Sequence, residues 1–286
     1  MQTMQFNLLK EKTEYNFMPT LTAYLIDGNP EHNEQRPAVL VIPGGGYDHV
    51  SFREGERIAL FYNTAGFHSF ILNYRVAPHT HPCPILDAAK AIEFIRDNAS
   101  AWNIAINKIA VCGFSAGGHL AASISTLWND AELFSNNEKK NELHKPNATI
   151  LSYPVITGGE FAHKGSFKNL TGNETKNELW EKMSLEKRVD KNTPPAFIWH
   201  TIGDEVVPVE NSLLYAGALR QSNIPFELHV YPDGSHGMSC VSDETYWRLP
   251  KFSRKYPWLE QSVEWLYLQF GIMNIQLKQQ ADTTSS

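Results

Sequence analysis

Ile109-Ala110-Val111-Cys112-Gly113-Phe114-Ser115-Ala116-Gly117-Gly118-His119-Leu120-Ala121-Ala122 is the stretch on which the reading of the fold turns. Its apolar head, Ile109 to Val111, is a strand signal, and Leu120, Ile124 and Leu127 beyond it share one face of a helix. Between them Gly113-Phe114-Ser115-Ala116-Gly117 has the G-x-S-x-G spacing, which requires that strand before it and that helix after it. A sharp strand-to-helix turn holds the serine in a strained backbone conformation and aims the helix dipole at it, while small neighbours let the two segments cross. Ser115 is therefore the candidate nucleophile. No second match occurs in the chain.

Apolar, often β-branched runs recur on both sides of this turn, at Leu21 to Ile26, Ala38 to Ile42, Phe70 to Leu72, Ala148 to Leu151, Ala196 to Trp199 and Phe226 to Tyr231. Several lack polar alternation, as strands covered on both faces do. Helical stripes lie between them: Ile58, Phe61, Tyr62 and Ala65, then Ile85, Ala88, Ala89 and Ile92, and last Leu259, Val263, Leu266 and Phe270. A further helix is expected near Pro208. This alternation predicts an α/β fold with a mostly parallel sheet. One domain over 1–275 is expected, with the polar tail 276–286 disordered. Residues 155–194 interrupt the alternation, and their scattered Phe161, Phe167 and Trp180 favour a packed cap insertion over the site.

Pro43-Gly44-Gly45-Gly46-Tyr47 follows the run Ala38 to Ile42, upstream of the serine. Three glycines leave backbone N–H groups unshielded, so Gly44, Gly45 and Gly46, with the Ala116 amide, are the candidate donors to an oxyanion. A phosphate loop would need G-x-x-x-x-G-K-S/T or G-x-G-x-x-G, and neither fits. Asp204, just after Ala196 to Trp199, is the candidate acid, with Glu205, Asp190 and Asp233 as rivals. His236, in the glycine-flanked loop Asp233 to Gly237 after the last strand run, is the candidate base among eleven histidines. The chain order serine, acid, histidine and the late loop positions select these two over His119 and His200.

A net charge of −6 disfavours nucleic acid and anionic membranes as partners, and the elbow, glycine loop, acid and base point instead to a small-molecule ester as the expected substrate. Cys83, Cys112 and Cys240 are far apart and odd in number, unlike a disulfide framework or a zinc site, and no H-E-x-x-H occurs. Neither a cofactor nor a metal is expected. No long apolar run or basic leader stands at the N-terminus, so the expectation is a soluble, cytoplasmic protein.

With elbow, glycine loop, acid and base in order, the sequence resembles the α/β-hydrolase superfamily. It is most similar to the carboxylesterases grouped with acetyl xylan and feruloyl esterases, neighbours of the hormone-sensitive-lipase-like esterases. Val41 to Glu56, Leu72 to Pro78, Cys112 to Ala122, Gly203 to Pro208 and the His236 loop carry the resemblance. It implies an eight-stranded, mostly parallel sheet, a Ser115, Asp204, His236 triad and an esterase for short acyl groups, such as acetyl groups on sugars or xylan fragments. Pro43 stands where the lipase-like relatives have the histidine of HGGG, which favours the acetyl-esterase-like group. Two other readings stay open: a serine peptidase of prolyl-oligopeptidase type, and a non-catalytic hydrolase-fold protein that binds a small ligand.

Overall fold

The most apolar runs of the sequence form the centre of a sheet in the computed structural model, which describes residues 1–28, 35–134, 138–240 and 256–272. The tail 276–286, expected to be disordered, lies outside the described residues. The strands are β1 (Gln2–Asn7), β2 (Thr20–Leu25), β3 (Arg36–Ile42), β4 (His68–Asn73), β5 (Ile104–Phe114), β6 (Ala148–Ser152), β7 (Ala196–Thr201) and β8 (Phe226–Tyr231). They pair in the order β1-β2-β4-β3-β5-β6-β7-β8. From β4 to β8 every pairing is parallel, and β2 runs antiparallel to both β1 and β4.

The helices are α1 (Glu56–Thr64), α2 (Cys83–Asp97), α3 (Ala99–Trp102), α4 (Ala116–Leu127), α5 (Glu138–Asn141), α6 (Lys164–Thr171), α7 (Glu178–Lys182), α8 (Glu210–Gln221) and α9 (Trp258–Gln269). Strand residues alternate between two cores. Leu40, Val111, Leu151 and Ile198 pack with the apolar stripes of α2, α4 and α8, whereas Val39, Val41, Cys112 and Phe197 pack with α1 and α9. Both faces of the parallel strands are thereby buried, which is why their sequences show no polar alternation.

β1 has no counterpart among the expected strands. Its Gln-Thr-Met-Gln-Phe-Asn sequence is polar, and only Met4 and Phe6 are partly covered, as befits a sheet edge. Phe6 holds it down, its ring centroid 5.1 Å from Phe94 and 5.5 Å from Trp102. Within residues 155–194, Phe167, Leu170, Trp180 and Leu185 join the core on the α2, α4 and α8 side of the sheet. Asn211 of α8 anchors this segment, accepting from the Ile156 and Thr157 N–H groups at 2.9 and 3.0 Å and donating to Phe161 O at 2.9 Å.

Because β3 and β5 are parallel neighbours, their C-terminal ends open on the same edge of the sheet. The chain crosses itself there with no room for side chains. A Cβ on Gly117 would lie 2.2 Å from Ile42 O and 2.3 Å from Pro43 O, and one on Gly113 would lie 2.3 Å from Gly117 O. Gly117→Ala is therefore expected to cost about 3 kcal/mol, while Gly217→Ala, on an open face of α8, should add about 0.5–1 kcal/mol. Urea unfolding of both variants checks the pair, and equal stabilities would refute the crowding.

Two buried imidazoles set an acid limit on the fold. Burial pushes His68 and His119 from 6.5 down to about 4, with Arg36 adding to the effect on His68 and His81 to that on His119. Between those pH values the unfolded chain binds protons that the folded one refuses. Their stabilising contribution is complete above about 6.5, falls as the pH drops and levels off below about 4. Urea midpoints should decline from neutral pH toward pH 4.5, and less steeply in His119→Gln; a midpoint independent of pH would contradict this.

Candidate active site

Ser115 sits between β5 and α4 with φ 52° and ψ −119°, the left-handed turn that the glycine-flanked motif foreshadows. Its N–H donates to Ser152 O and its carbonyl accepts from the Val155 N–H, both at 3.0 Å, so β6 and the chain after it hold the turn on two sides. Only 6% of the residue is exposed.

Three separated segments meet at this serine. Ser115 Oγ is 2.7 Å from His236 Nε2, and His236 Nδ1 is 2.7 Å from Asp204 Oδ2. The Asp204 side chain is 1% exposed and that of His236 18%. Burial alone would raise the Asp204 carboxyl, but hydrogen bonds from His200 and His236, then the His236 charge and the Val207 amide, hold it well below the usual carboxylate range. An ionised carboxylate only accepts, so His236 carries its proton on Nδ1 and offers the Nε2 lone pair to the Ser115 hydroxyl. The second Asp204 oxygen accepts from the Val206 and Val207 N–H groups at 3.0 and 2.9 Å. The arrangement can pull a proton from Ser115 without moving a heavy atom far.

Of the other acids weighed, Glu205 and Asp233 are exposed, and Asp190 bonds Asn192 and Thr193 in its own loop. His119 is a satisfied core group between the Tyr47 hydroxyl and Met183 O, both at 2.9 Å. His200 is less remote from the site than its strand-end position suggests: buried, it lies 3.4 Å from Asp204 Oδ2 and backs the acid.

The glycine loop after β3 lies against the serine. A Cβ on Gly44 would be 3.0 Å from Ser115 Cβ. Gly44 is set apart from its neighbours, because its N–H donates to Glu54 Oε2 at 2.8 Å and is not free for an oxyanion. Gly45 and Gly46 have φ of 119° and 67°, values that glycine alone adopts readily, and a Cβ on Gly45 would collide with His49 O at 2.1 Å. Among the described residues the N–H groups of Gly45, Gly46 and Ala116 donate to nothing. That leaves three N–H groups without an acceptor in the turn and in the loop that approaches it.

Glu54 is the residue that sequence inspection passes over. It stands in Phe52-Arg53-Glu54-Gly55-Glu56-Arg57, which reads as a solvated charge run, yet it is only 3% exposed. Its other oxygen accepts from the Tyr153 hydroxyl at 2.7 Å, and Tyr153 Oη accepts from the Ser239 N–H at 3.0 Å. The Tyr153 ring also meets the His236 ring edge-on at 5.1 Å. One carboxylate thereby ties the glycine loop to the loop that carries His236. Among the described residues no three His, Cys, Asp or Glu side chains are placed to hold a metal ion.

Comparison with known proteins agrees with this architecture. The xylanase named endo-1,4-beta-xylanase B of Butyrivibrio fibrisolvens is 41% identical over 85% of this chain, and the acetylxylan esterase of Xylanibacter ruminicola is 34% identical over 82% of it. The chain spans 38% and 47% of the lengths of those two relatives. Among solved structures, an acetyl ester-xyloside bifunctional hydrolase from Caldicellulosiruptor lactoaceticus superposes with a TM-score of 0.80 at 38% identity, covering 95% of this chain and 97% of that one. The carboxylesterase Cest-2923 from Lactobacillus plantarum superposes with a TM-score of 0.78 at 28% identity, covering 96% and 100%. The family model described as BD-FAE matches residues 26–219, so the chain belongs to the BD-FAE family and has the α/β-hydrolase fold.

Proposed function

We propose that this chain is a serine carboxylesterase that removes short acyl groups, acetyl above all, from sugars of the xylan type. The observation that carries the reading is the relay from Asp204 through His236 to Ser115, with both contacts at 2.7 Å. The sugar half of the reading is supported by the names of the relatives, an acetylxylan esterase and an acetyl ester-xyloside hydrolase.

In this mechanism His236 Nε2 takes the Ser115 proton as Oγ attacks the ester carbonyl. The Gly45, Gly46 and Ala116 amides hold the resulting oxyanion, and Asp204 stabilises the imidazolium. The C–O bond to the alcohol then breaks, the alcohol leaves with the proton from His236, and acetyl stays on Ser115. Water, deprotonated by the same histidine, releases acetate and restores the hydroxyl. None of these steps calls on a cofactor or a metal. Three cysteines, Cys83, Cys112 and Cys240, none of them in a disulfide, fit work in a reducing compartment, the cytoplasm, and no helix among the described residues is long and apolar enough to cross a membrane.

Ser115→Ala is expected to lower kcat on p-nitrophenyl acetate by at least about 10⁴-fold and to abolish labelling by a fluorophosphonate. Undiminished turnover would falsify the nucleophile assignment, and a wild-type chain that resists the label would instead be a binding protein. Acetylated xylo-oligosaccharides should be deacetylated by the wild type, and faster cleavage of a peptide panel would favour the peptidase reading.

Glu54→Gln keeps the side-chain shape but leaves the Tyr153 hydroxyl without its carboxylate. We expect kcat to fall between about tenfold and a hundredfold, with KM less affected, since small misplacements of reacting groups are costly. Steady-state kinetics beside a urea midpoint read this, and an unchanged kcat in a folded variant would remove Glu54 from the machinery.

A further inference from the structure

The end of β7 carries an imidazole that the acyl-transfer steps leave without a task. His200 is fully buried, and both ring nitrogens have partners. Nε2 lies 3.0 Å from Val207 O and 3.4 Å from Asp204 Oδ2, and Nδ1 lies 2.7 Å from Ser212 Oγ on α8. A carbonyl and an ionised carboxylate only accept, so the ring carries a proton on Nε2 and leaves Nδ1 to the Ser212 hydroxyl. That Nε2–H donates to Val207 O and keeps its positive end beside the carboxylate.

The carboxylate oxygen that His200 approaches is the one the relay uses. Asp204 Oδ2 accepts from His236 Nδ1 at 2.7 Å, while Oδ1 accepts from the Val206 and Val207 N–H groups. Val207 thus donates to the acid through its N–H and accepts from His200 through its carbonyl. This closes the acid turn on the strand it leaves and, through Ser212, on α8. The next residue, Thr201, donates from Oγ1 to Gly234 O at 2.9 Å, two residues before His236. Two partners satisfy a buried imidazole, and Ser212 with Val207 supplies both. Neither of them calls for the ring to lie against Oδ2 as well.

An N–H pole beside Asp204 Oδ2 opposes the imidazolium that forms on His236, because both draw on the same negative charge. Without it the carboxylate would hold the His236 proton more tightly, and the base would be charged, hence idle, up to a higher pH. We infer that His200 is a positioning residue of the relay: its Nε2–H fixes the acid turn through Val207 O and faces Asp204 Oδ2 alongside His236, which keeps the base neutral to lower pH. The inference rests on the esterase reading and adds a fourth side chain to its relay. The other charged or titratable groups around His236 are His163 of the segment 155–194, Tyr153 edge-on at 5.1 Å, Arg53, with a guanidinium nitrogen 3.4 Å from where a Gly237 Cβ would stand, and the exposed Asp233 of the same loop. Among the described residues none of these is bonded to His200, so a substitution there leaves them in place.

The test compares the pH dependence of kcat/KM for p-nitrophenyl acetate in wild type, His200→Asn and His200→Gln, beside their urea midpoints. The Asn amide reaches the Nδ1 position and keeps a contact for Ser212 but puts nothing at Nε2, whereas the Gln amide reaches the Nε2 position and donates from there. In His200→Asn the acid limb should move up by about half a pH unit or more, and the plateau kcat should fall about threefold to tenfold with KM nearly unchanged. His200→Gln should return both toward wild type. Plain loss of packing would lower kcat in both variants and leave the limb in place, and that result overturns the inference. An equal shift in the two variants overturns it too, since the lost ring rather than the lost N–H would then be the cause. Where His200→Asn does not fold, Ser212→Ala, which releases the ring at Nδ1, should move the limb in the same direction, and an unmoved limb overturns the inference. A wild type that leaves p-nitrophenyl acetate untouched overturns the esterase reading itself, and the role of His200 with it.

Discussion

Where β3 ends and α4 begins, two backbone segments pass closer together than any side chain permits. The Gly117 Cα faces Ile42 O and Pro43 O so closely that a Cβ would sit 2.2 and 2.3 Å from them, and Gly44 approaches Ser115 in the same way. This crossing places the glycine loop beside the serine. It exists because β3 and β5 are parallel neighbours whose ends open on one edge of the sheet. A positive φ at a non-glycine residue costs of order 1–3 kcal/mol. At Ser115 that strain is held in place by two hydrogen bonds, to Ser152 O and from Val155 N–H, and by a helix packed on the central strands.

The same economy of contacts explains the buried carboxylate of Glu54. An unpaired charge there would be strongly destabilising, and the Gly44 N–H and the Tyr153 hydroxyl relieve it. The chain of bonds continues through Tyr153 Oη to the Ser239 N–H, and Ser239 O accepts from Trp258 Nε1 at 2.9 Å on α9. The loop that would stabilise the oxyanion and the loop that would move the proton therefore share one support. Taking Gly44 out of the donor set is the cost of that support, and it leaves Gly45 and Gly46 turned by their positive φ.

The parts legible in the sequence are those that local chemistry dictates. Gly113 and Gly117 flank a serine because the crossing tolerates nothing larger, and the apolar runs of β3, β5, β6 and β7 lack alternation because both faces are covered. Chain order and loop position select Ser115, Asp204 and His236, and the structure brings them together. What stays hidden depends on distant contacts. β1 is an edge strand whose polar pattern carries no core signal, so only its pairing with β2 reveals it. Glu54 resembles its charged neighbours until Tyr153, 99 residues away, is found beside it. His200 is one of eleven histidines, and nothing in its local sequence shows that it faces the acid.

The relay leaves little positional tolerance, and the fold places its groups accordingly. Proton transfer and oxyanion stabilisation demand placement to a fraction of an ångström, so their groups stand at strand ends and in glycine turns with no slack. The segment between β6 and β7 lies outside those strand ends and glycine turns. That segment is nevertheless not loose from the catalytic residues. Asn211 grips it through Ile156, Thr157 and Phe161, and the same side chain donates to Pro208 O, four residues beyond Asp204. Asn211 thus joins that segment to the turn after Asp204, and Asn169 of α6 joins it to the glycine loop. The segment between β6 and β7 and the turn after Asp204 thus share one asparagine, so the packing of that segment also helps keep the relay in register.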